Sequence, residues 1–234
     1  MRHWRGPGNA GDRRIGGASP AEGTDEPCGR RGYHHGNLKE ALVEAARRFI
    51  AERGLSGFTL VDAARLVGVS PAALYRHFRG REALVEEVAF RGYTQLAERL
   101  ARALAGAGTP LERFTRMGEA YLDFAEKEPG YYAAMFSART GDAPPPAVVP
   151  PPWGQKRGAF DLLVDGLARA FPDGFGVVDP RFVALEVWAI SHGIAMLDAA
   201  GQLPRGPGLP GKHELLRAGV LAVVHGALAS AKKS

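Results

Sequence analysis

The spacing of apolar residues after residue 82 is the feature that most constrains how this chain can fold. Apolar side chains recur there every three or four positions, which is the repeat of an amphipathic helix. No segment shows the alternation with a period of two that is typical of a half-buried strand. The sequence therefore predicts an all-α chain, with helices in this region at 82–104, 111–124, 131–136, 155–171, 180–200 and 213–229. Two proline triplets make 142–152 a predicted loop.

Composition excludes several classes of protein. Apolar residues make up 45% of the chain and charged residues 24%, which is close to the average of globular domains and unlike a disordered chain. No uninterrupted apolar run approaches the roughly 18 residues that cross a bilayer, and the basic start is not followed by the apolar run of a signal peptide. The single cysteine, Cys28, permits no disulfide within the chain. We therefore expect a cytoplasmic protein without membrane spans.

The positive charge of the chain is concentrated in one stretch. The formal net charge is +5, but residues 30–81 carry ten basic and four acidic side chains, so the remainder is close to neutral. A compact basic module on a neutral body is typical of proteins that bind a polyanion such as nucleic acid. A basic face that is merely solvated is the alternative, and charge alone favours neither.

Three short helices are predicted in this basic stretch, after a disordered tail. Residues 1–31 are rich in Gly and Pro and show no apolar periodicity, so we expect no fold there. Asn37 can cap a first helix, and Thr59 can cap a second that ends at Gly68. A third helix, at 71–78, follows at once.

The second and third helices form a helix-turn-helix pattern at 59–78, because a tight turn containing Gly68 joins them. This geometry presents the later helix of the pair to the major groove of DNA. Leu74 and Phe78 are expected to face the core. The small residues on the outer face would let the helix approach base edges, and Arg76 could reach guanine or phosphate. The alternative is a helical hairpin that binds no ligand.

This pattern resembles the DNA-binding domain of the TetR family of transcriptional regulators. The residues that carry the resemblance are FTLVDAARLVGVSPAALYRHF at 58–78 and REALV at 81–85. The resemblance covers about residues 36–96, the predicted N-terminal head, and leaves residues 97–234 as the C-terminal body. In the body, WAISHG at 188–193 resembles the tryptophan–histidine–glycine signature of one class of TetR C-terminal domain.

The resemblance implies an all-helical homodimer that binds a palindromic operator in double-stranded DNA. It implies a transcriptional regulator, by family default a repressor, that is released by a small effector bound in the body and that has no cofactor. In the family, the residues that match Thr59, Tyr75 and His77 contact phosphates. The full set of predicted DNA-contacting residues is Thr59, Ser70, Pro71, Ala72, Ala73, Tyr75, Arg76, His77, Arg79 and Arg81.

Four residues before the first helix could reach the neighbouring minor groove as an arm. A solvated tail is the alternative reading of the same residues. They are Arg30, Arg31, His34 and His35.

The body is predicted to hold a mainly apolar effector and the dimer contact. Aromatic and thioether side chains at helical spacing suit a lipophilic ligand, although the same residues could simply fill the bundle core. The predicted pocket residues are Met117, Tyr121, Phe124, Tyr131, Met135, Phe136, Trp188, His192 and Met196. Small residues beside valines on the last helix favour close packing against a two-fold mate. The predicted dimer residues are Gly219, Val220, Val223, Val224 and Ala227.

Two other function classes are weighed against this interpretation: a helical adaptor with a nonspecific basic head, and a small helical enzyme. The G-x-G-x-x-G pattern at 206–211 follows a helix rather than a strand and contains two prolines. Ser191 lacks the preceding strand of a nucleophile elbow, and His34 and His35 adjoin no second pair of metal ligands. We therefore predict no catalytic residue, no metal site and no cofactor.

Overall fold

The computed structural model describes residues 38–136 and 158–231, and every regular element within these ranges is a helix. The predicted all-α fold is confirmed, with helix ends that differ from the predicted ones by a few residues. The predicted tail, Asn37, the four arm residues and the loop at 142–152 lie outside the described residues. The helices are α1 (Leu38–Arg53), α2 (Leu60–Val67), α3 (Pro71–Tyr75), α4 (Arg81–Ala105), α5 (Pro110–Lys127), α6 (Pro129–Phe136), α7 (Ala159–Ala170), α8 (Pro180–Ala199) and α9 (Lys212–Ala231).

Local capping signals set the ends of the short helices in the head. The Thr59 hydroxyl accepts the N–H of Asp62 (3.2 Å), and the Asp62 carboxylate accepts the N–H of Thr59 (3.1 Å), which is a reciprocal capping box. Gly68 ends α2 with a φ of 74°, a left-handed conformation that glycine adopts without strain. Ser70 caps α3, and Pro71 fills its first position.

Helix α3 is shorter than the predicted range of 71–78. It ends at Tyr75, because the N–H of His77 bonds the carbonyl of Leu74 only three residues back (2.9 Å) and so tightens the last turn. The N–H of Phe78 bonds the same carbonyl (3.0 Å). Leu74 and Phe78 are both buried, so their predicted direction into the core is confirmed although the helix stops early.

One apolar core runs through the head and the body. The two parts are in close contact at Gly130 in α6, where an added Cβ would lie 2.1 Å from the carbonyl oxygen of Arg47 in α1. The Arg47 guanidinium also lies 5.4 Å from the centre of the Tyr131 ring and 3.6 Å from the Glu128 carboxylate. Helix α1 of the head therefore packs directly on a helix of the body.

Helix α4 crosses the boundary between head and body. Its first half pairs with α1 through the ion pairs Lys39–Glu87 (3.2 Å) and Glu40–Arg91. Such partly exposed pairs contribute little each, so the buried side chains of α4 account for most of the contact. The helix also packs against α5, α6 and α7. The same rigid element thus connects the helix-turn-helix with the bundle.

Candidate DNA-binding surface and ligand cavity

The outer face of α3 and the turn after it form an exposed basic and aromatic surface. Tyr75 is 60% exposed, and Ala72, Arg76, His77 and Arg79 are exposed beside it. Within the described residues, nothing accepts a hydrogen bond from the guanidinium of Arg76 or Arg79. Both groups are therefore available to an external acceptor, such as a phosphate oxygen or a guanine edge.

Four other predicted DNA contacts are Thr59, Ser70, Ala73 and Pro71, and the first three also contact residues of the head itself. The Thr59 hydroxyl donates to the Asp62 carboxylate, so a phosphate would have to replace that bond. The Ser70 oxygen accepts the N–H of Ala73 (3.3 Å), which leaves the Ser70 proton for an outside acceptor. Ala73 is half-buried against the core, whereas Pro71 is exposed.

Arg81 is placed differently from the other predicted DNA contacts. Its Nε donates to the carbonyl of Phe58 (2.8 Å) and its Nη2 donates to the carbonyl of Leu55 (2.7 Å). Its Nη1 lies 3.8 Å from Glu82. The guanidinium thus fastens the loop between α1 and α2 to the start of α4. Arg81 therefore stabilises the packing within the head and is not part of its exposed face.

Replacing Arg81 by alanine is expected to lower the free energy of unfolding by about 2 kcal/mol, because two carbonyls lose a charged donor. Urea denaturation followed by circular dichroism measures the change. Arg79→Ala is the matched control, since Arg79 has no partner within the described residues. Its effect should stay within about 0.5 kcal/mol. Equal losses in the two variants would contradict the role given to Arg81.

A cavity of about 620 Å³ lies in the body and is lined mainly by apolar side chains of α4, α5, α7, α8 and α9. Four of the nine predicted pocket residues line it, and five do not. The four are Met117, Tyr121, Phe136 and Trp188. Lining residues that the prediction omitted include Tyr93, Leu96, Leu100, Phe114 and Phe160. Their apolar periodicity marks them as core residues, but nothing in the sequence separates a cavity wall from a filled core.

The five other predicted pocket residues lie elsewhere. Phe124 is fully buried beneath the guanidinium of Arg99, Tyr131 packs beside Arg47, and Met135 fills the space beside Gly92. Met196 is exposed, because the eight residues that separate it from Trp188 turn an α-helix by roughly 80° beyond two full turns. His192 does not line the cavity but contacts Tyr121 and Phe136, which do.

Three polar side chains meet at this wall, to which Tyr121 belongs. The Nδ1 of His192 lies 2.8 Å from the Tyr132 hydroxyl and 3.2 Å from the Tyr121 hydroxyl, and the two hydroxyls are 3.3 Å apart. Burial raises the pKa of both tyrosines and lowers the pKa of His192. The three groups are therefore neutral near pH 7, and in the tautomer that carries the ring proton on Nε2, Nδ1 accepts from a tyrosine hydroxyl. Tyr132 was not predicted, since its contact with His192 joins residues 60 positions apart.

The stability of the protein should fall as pH drops below about 6.5, the usual pKa of an unfolded histidine. Because the folded state holds the pKa of His192 lower, the unfolded chain binds a proton there that the folded chain does not. Urea denaturation at pH 8, 6.5 and 5 measures the decline. His192→Asn keeps an acceptor for Tyr132 and should show a smaller decline over the same range. An unchanged pH dependence in this variant would exclude His192 as a contributor.

The predicted dimer residues of α9 are mostly turned towards their own chain. Val220 and Val224 line the cavity, and an added Cβ at Gly219 would lie 3.1 Å from Ile190 of α8. Val223 and Ala227 are half-buried against the core. The exposed stripe of α9 is instead made of Ala218, Leu221, Ala222, His225 and Ala229.

Comparison with known proteins agrees with this arrangement of a helix-turn-helix head on a helical body. Residues 42–88 match the family described as bacterial regulatory proteins, tetR family. Residues 114–227 match the family described as tetracyclin repressor-like, C-terminal domain. The chain belongs to the TetR family of transcriptional regulators.

Individual relatives of this TetR regulator are similar over parts of their length. The uncharacterized HTH-type transcriptional regulator YobS of Bacillus subtilis is 31% identical over 99 residues, which are 42% of this chain and 51% of YobS. The HTH-type transcriptional repressor KstR2 of Mycolicibacterium smegmatis is 33% identical over 88 residues, 38% of this chain and 43% of KstR2. The chain thus spans about half the length of these curated relatives.

A solved structure is similar over a larger share of the TetR chain. It is the structure of a protein with unknown function from Rhodococcus sp. RHA1, and it is 31% identical. The match covers 84% of this chain and 98% of that one, with a TM-score of 0.66.

Family membership decides against the enzyme alternative, because TetR regulators are not enzymes. The structure explains the two motifs that suggested an enzyme. The Ser191 hydroxyl is buried and donates to the carbonyl of Val187 (2.8 Å), as a helical serine commonly does. The G-x-G-x-x-G pattern at 206–211 lies in the connection between α8 and α9.

Proposed function

We propose that the protein is a homodimeric repressor that binds a palindromic operator and is released by a small, mainly apolar effector. The single observation that carries the proposal is the exposed surface of α3 and the turn after it, where Arg76 and Arg79 have no partner within the described residues. An unpaired cation on an exposed helix beside a helix-turn-helix bend is suited to DNA. Arg76 and the Ala72 methyl would read bases, while Tyr75, His77 and Arg79 would contact phosphates.

The dimer contact that we propose uses the exposed stripes of α8 and α9. Large apolar side chains are exposed there, namely Phe182, Leu185 and Met196 of α8 and Leu221 of α9. The sequence predicts no membrane span, but α8 is long and apolar enough to cross a bilayer by length and composition alone. Of its 18-residue apolar stretch, 33% is buried. A helix that packs against a second copy of the chain accounts for the same composition in a cytoplasmic protein.

The cavity supports the effector part of the proposal. Its volume of about 620 Å³ lies within the range of small-molecule sites. An effector that binds more tightly to a conformation whose two heads are wrongly spaced for the operator would lower operator affinity, because it shifts the population of states. Helix α4 would transmit the change, because it lines the cavity with Leu96 and Leu100 and begins beside α3. We also propose that the body belongs to the tryptophan–histidine–glycine class.

The test is selection of bound duplexes from a random pool at moderate salt, followed by sequencing. We expect a palindromic consensus and an affinity that falls about a thousandfold between 50 and 200 mM salt, as for proteins that neutralise six or more phosphates. Analytical ultracentrifugation should give two chains per duplex. Salt-sensitive binding without a consensus would contradict the proposal and support an adaptor with a nonspecific basic head. Absence of binding would contradict both.

A further inference from the structure

Tyr121 differs from the other hydroxyl-bearing residues that line the cavity. The hydroxyl of Tyr93 donates to the carbonyl of Met135 (2.9 Å), that of Thr115 to Leu111 (3.0 Å) and that of Ser191 to Val187 (2.8 Å). A backbone carbonyl thus fixes each of these three protons. The Tyr121 hydroxyl has only side-chain partners among the described residues: Tyr132, His192 and the indole of Trp188. The indole N–H can only donate, so it does not fix the Tyr121 proton.

The distances show which proton of this group can be redirected. Nδ1 of a neutral imidazole has one lone pair in the ring plane, so it accepts well from one donor only. Tyr132 is the nearer donor at 2.8 Å. The Tyr121 hydroxyl lies farther from Nδ1 and from the Tyr132 oxygen, at 3.2 and 3.3 Å. Tyr121 can therefore turn its proton towards a ligand while the bond between Tyr132 and His192 stays in place.

The charges around the cavity limit what this ligand can be. Among the described lining residues, Arg217 is paired with Glu119 (3.1 Å), and the Asp161 carboxylate accepts the N–H of Gly158 at the start of α7 (2.9 Å). None of them offers an unpaired cation. A carboxylate placed against the apolar wall would lose its hydration without gaining a counter-ion, which is strongly unfavourable.

We propose that the effector is a neutral, largely apolar molecule with one hydroxyl or carbonyl oxygen, and that the Tyr121 hydroxyl donates to this oxygen. The proposal rests on the proposed function and names the ligand class of its cavity. Phe136 and Trp188 would contact the apolar part, since both line the same cavity. Tyr132 and His192 are positioning residues that hold the Tyr121 hydroxyl at the wall.

The test is displacement of the neutral dye Nile red from the full-length protein without DNA. The competitors form two sets, and the members of each set share a carbon skeleton. The first set is 2-naphthol, naphthalene and 2-naphthoate, and the second is 1-decanol, decane and decanoate. In each set we expect the alcohol to bind about tenfold more tightly than the hydrocarbon or the carboxylate, which is the effect of one good hydrogen bond. In Tyr121→Phe this preference should vanish while hydrocarbon affinity stays unchanged.

Two further variants separate this role from a structural one. Tyr131→Phe removes a hydroxyl from α6 that lies outside the cavity, and it should keep the preference. Tyr132→Phe frees Nδ1 to accept from Tyr121 and should weaken the preference by several-fold. A preference that survives in Tyr121→Phe, tighter binding of the carboxylates, or no uptake of Nile red would each overturn the proposal. The expected preference in a protein that selects no DNA consensus would overturn the proposed function alone.

Discussion

Arg76→Ala should lower operator affinity by about 10- to 100-fold, because a bidentate contact between arginine and guanine is worth about 1–3 kcal/mol. Arg76 is exposed at the end of α3 and has no partner within the described residues. Its removal should therefore leave the fold intact. The measurement is fluorescence anisotropy with the selected duplex and with duplexes that carry each single base change.

The control for this experiment is Arg169→Ala. Arg169 is also an exposed helical arginine without a partner in the described structure, but it lies in α7 of the body. The two variants change the net charge equally, so a general loss of electrostatic attraction would affect both. If Arg76 reads a base, only Arg76→Ala should also relax discrimination at one position of the half-site. Equal losses in the two variants, with discrimination preserved, would remove Arg76 from the recognition surface.

Gly130→Ala should lower the free energy of unfolding by about 3 kcal/mol, at the upper end of what overpacking costs. The added methyl group would lie 2.1 Å from the Arg47 carbonyl oxygen. The neighbour is backbone rather than a flexible side chain, so α1 and α6 would have to move apart. Relief of the overlap would also disturb the contacts of Arg47 with Glu128 and Tyr131. Urea denaturation measures the loss.

Gly57→Ala is the matched control for this variant. Nothing lies within 4 Å of a Cβ added at Gly57, so the same chemical change should alter stability by less than about 1 kcal/mol. A Gly130→Ala protein as stable as the Gly57→Ala protein would show that α1 and α6 are not held at this spacing in solution.

The sequence predicted the head more sharply than the body because the signals in the head are local. A cap such as Thr59 and a left-handed glycine such as Gly68 act within a few residues of their own position. Arg81 shows the limit of such signals. Its charge was predicted to contact DNA, but its partners are carbonyls 23 and 26 positions earlier in the chain.

Helix α9 shows why the side-chain directions in the body could not be predicted. Neighbouring residues on a helix point roughly 100° apart, and a polar stripe normally fixes which of them face inward. Apolar and small residues surround most of α9, so the pattern has no clear phase. Val224 is consequently buried at the cavity wall while Ala222 is exposed. Phe124 and Phe136 are likewise both phenylalanines that the sequence places in the pocket, yet only Phe136 lines the cavity.

The close approach of α1 to α6 has a consequence for engineering regulators with exchanged specificities. A chimaera cut between residues 96 and 97 would transplant α1 without the surface against which it packs, because Gly130 and Tyr131 belong to the other parent. The foreign α1 would meet a side-chain pattern shaped for a different helix. A successful graft must therefore carry the start of α6 along with the DNA-reading segment, or restrict the exchange to the exposed residues of α3.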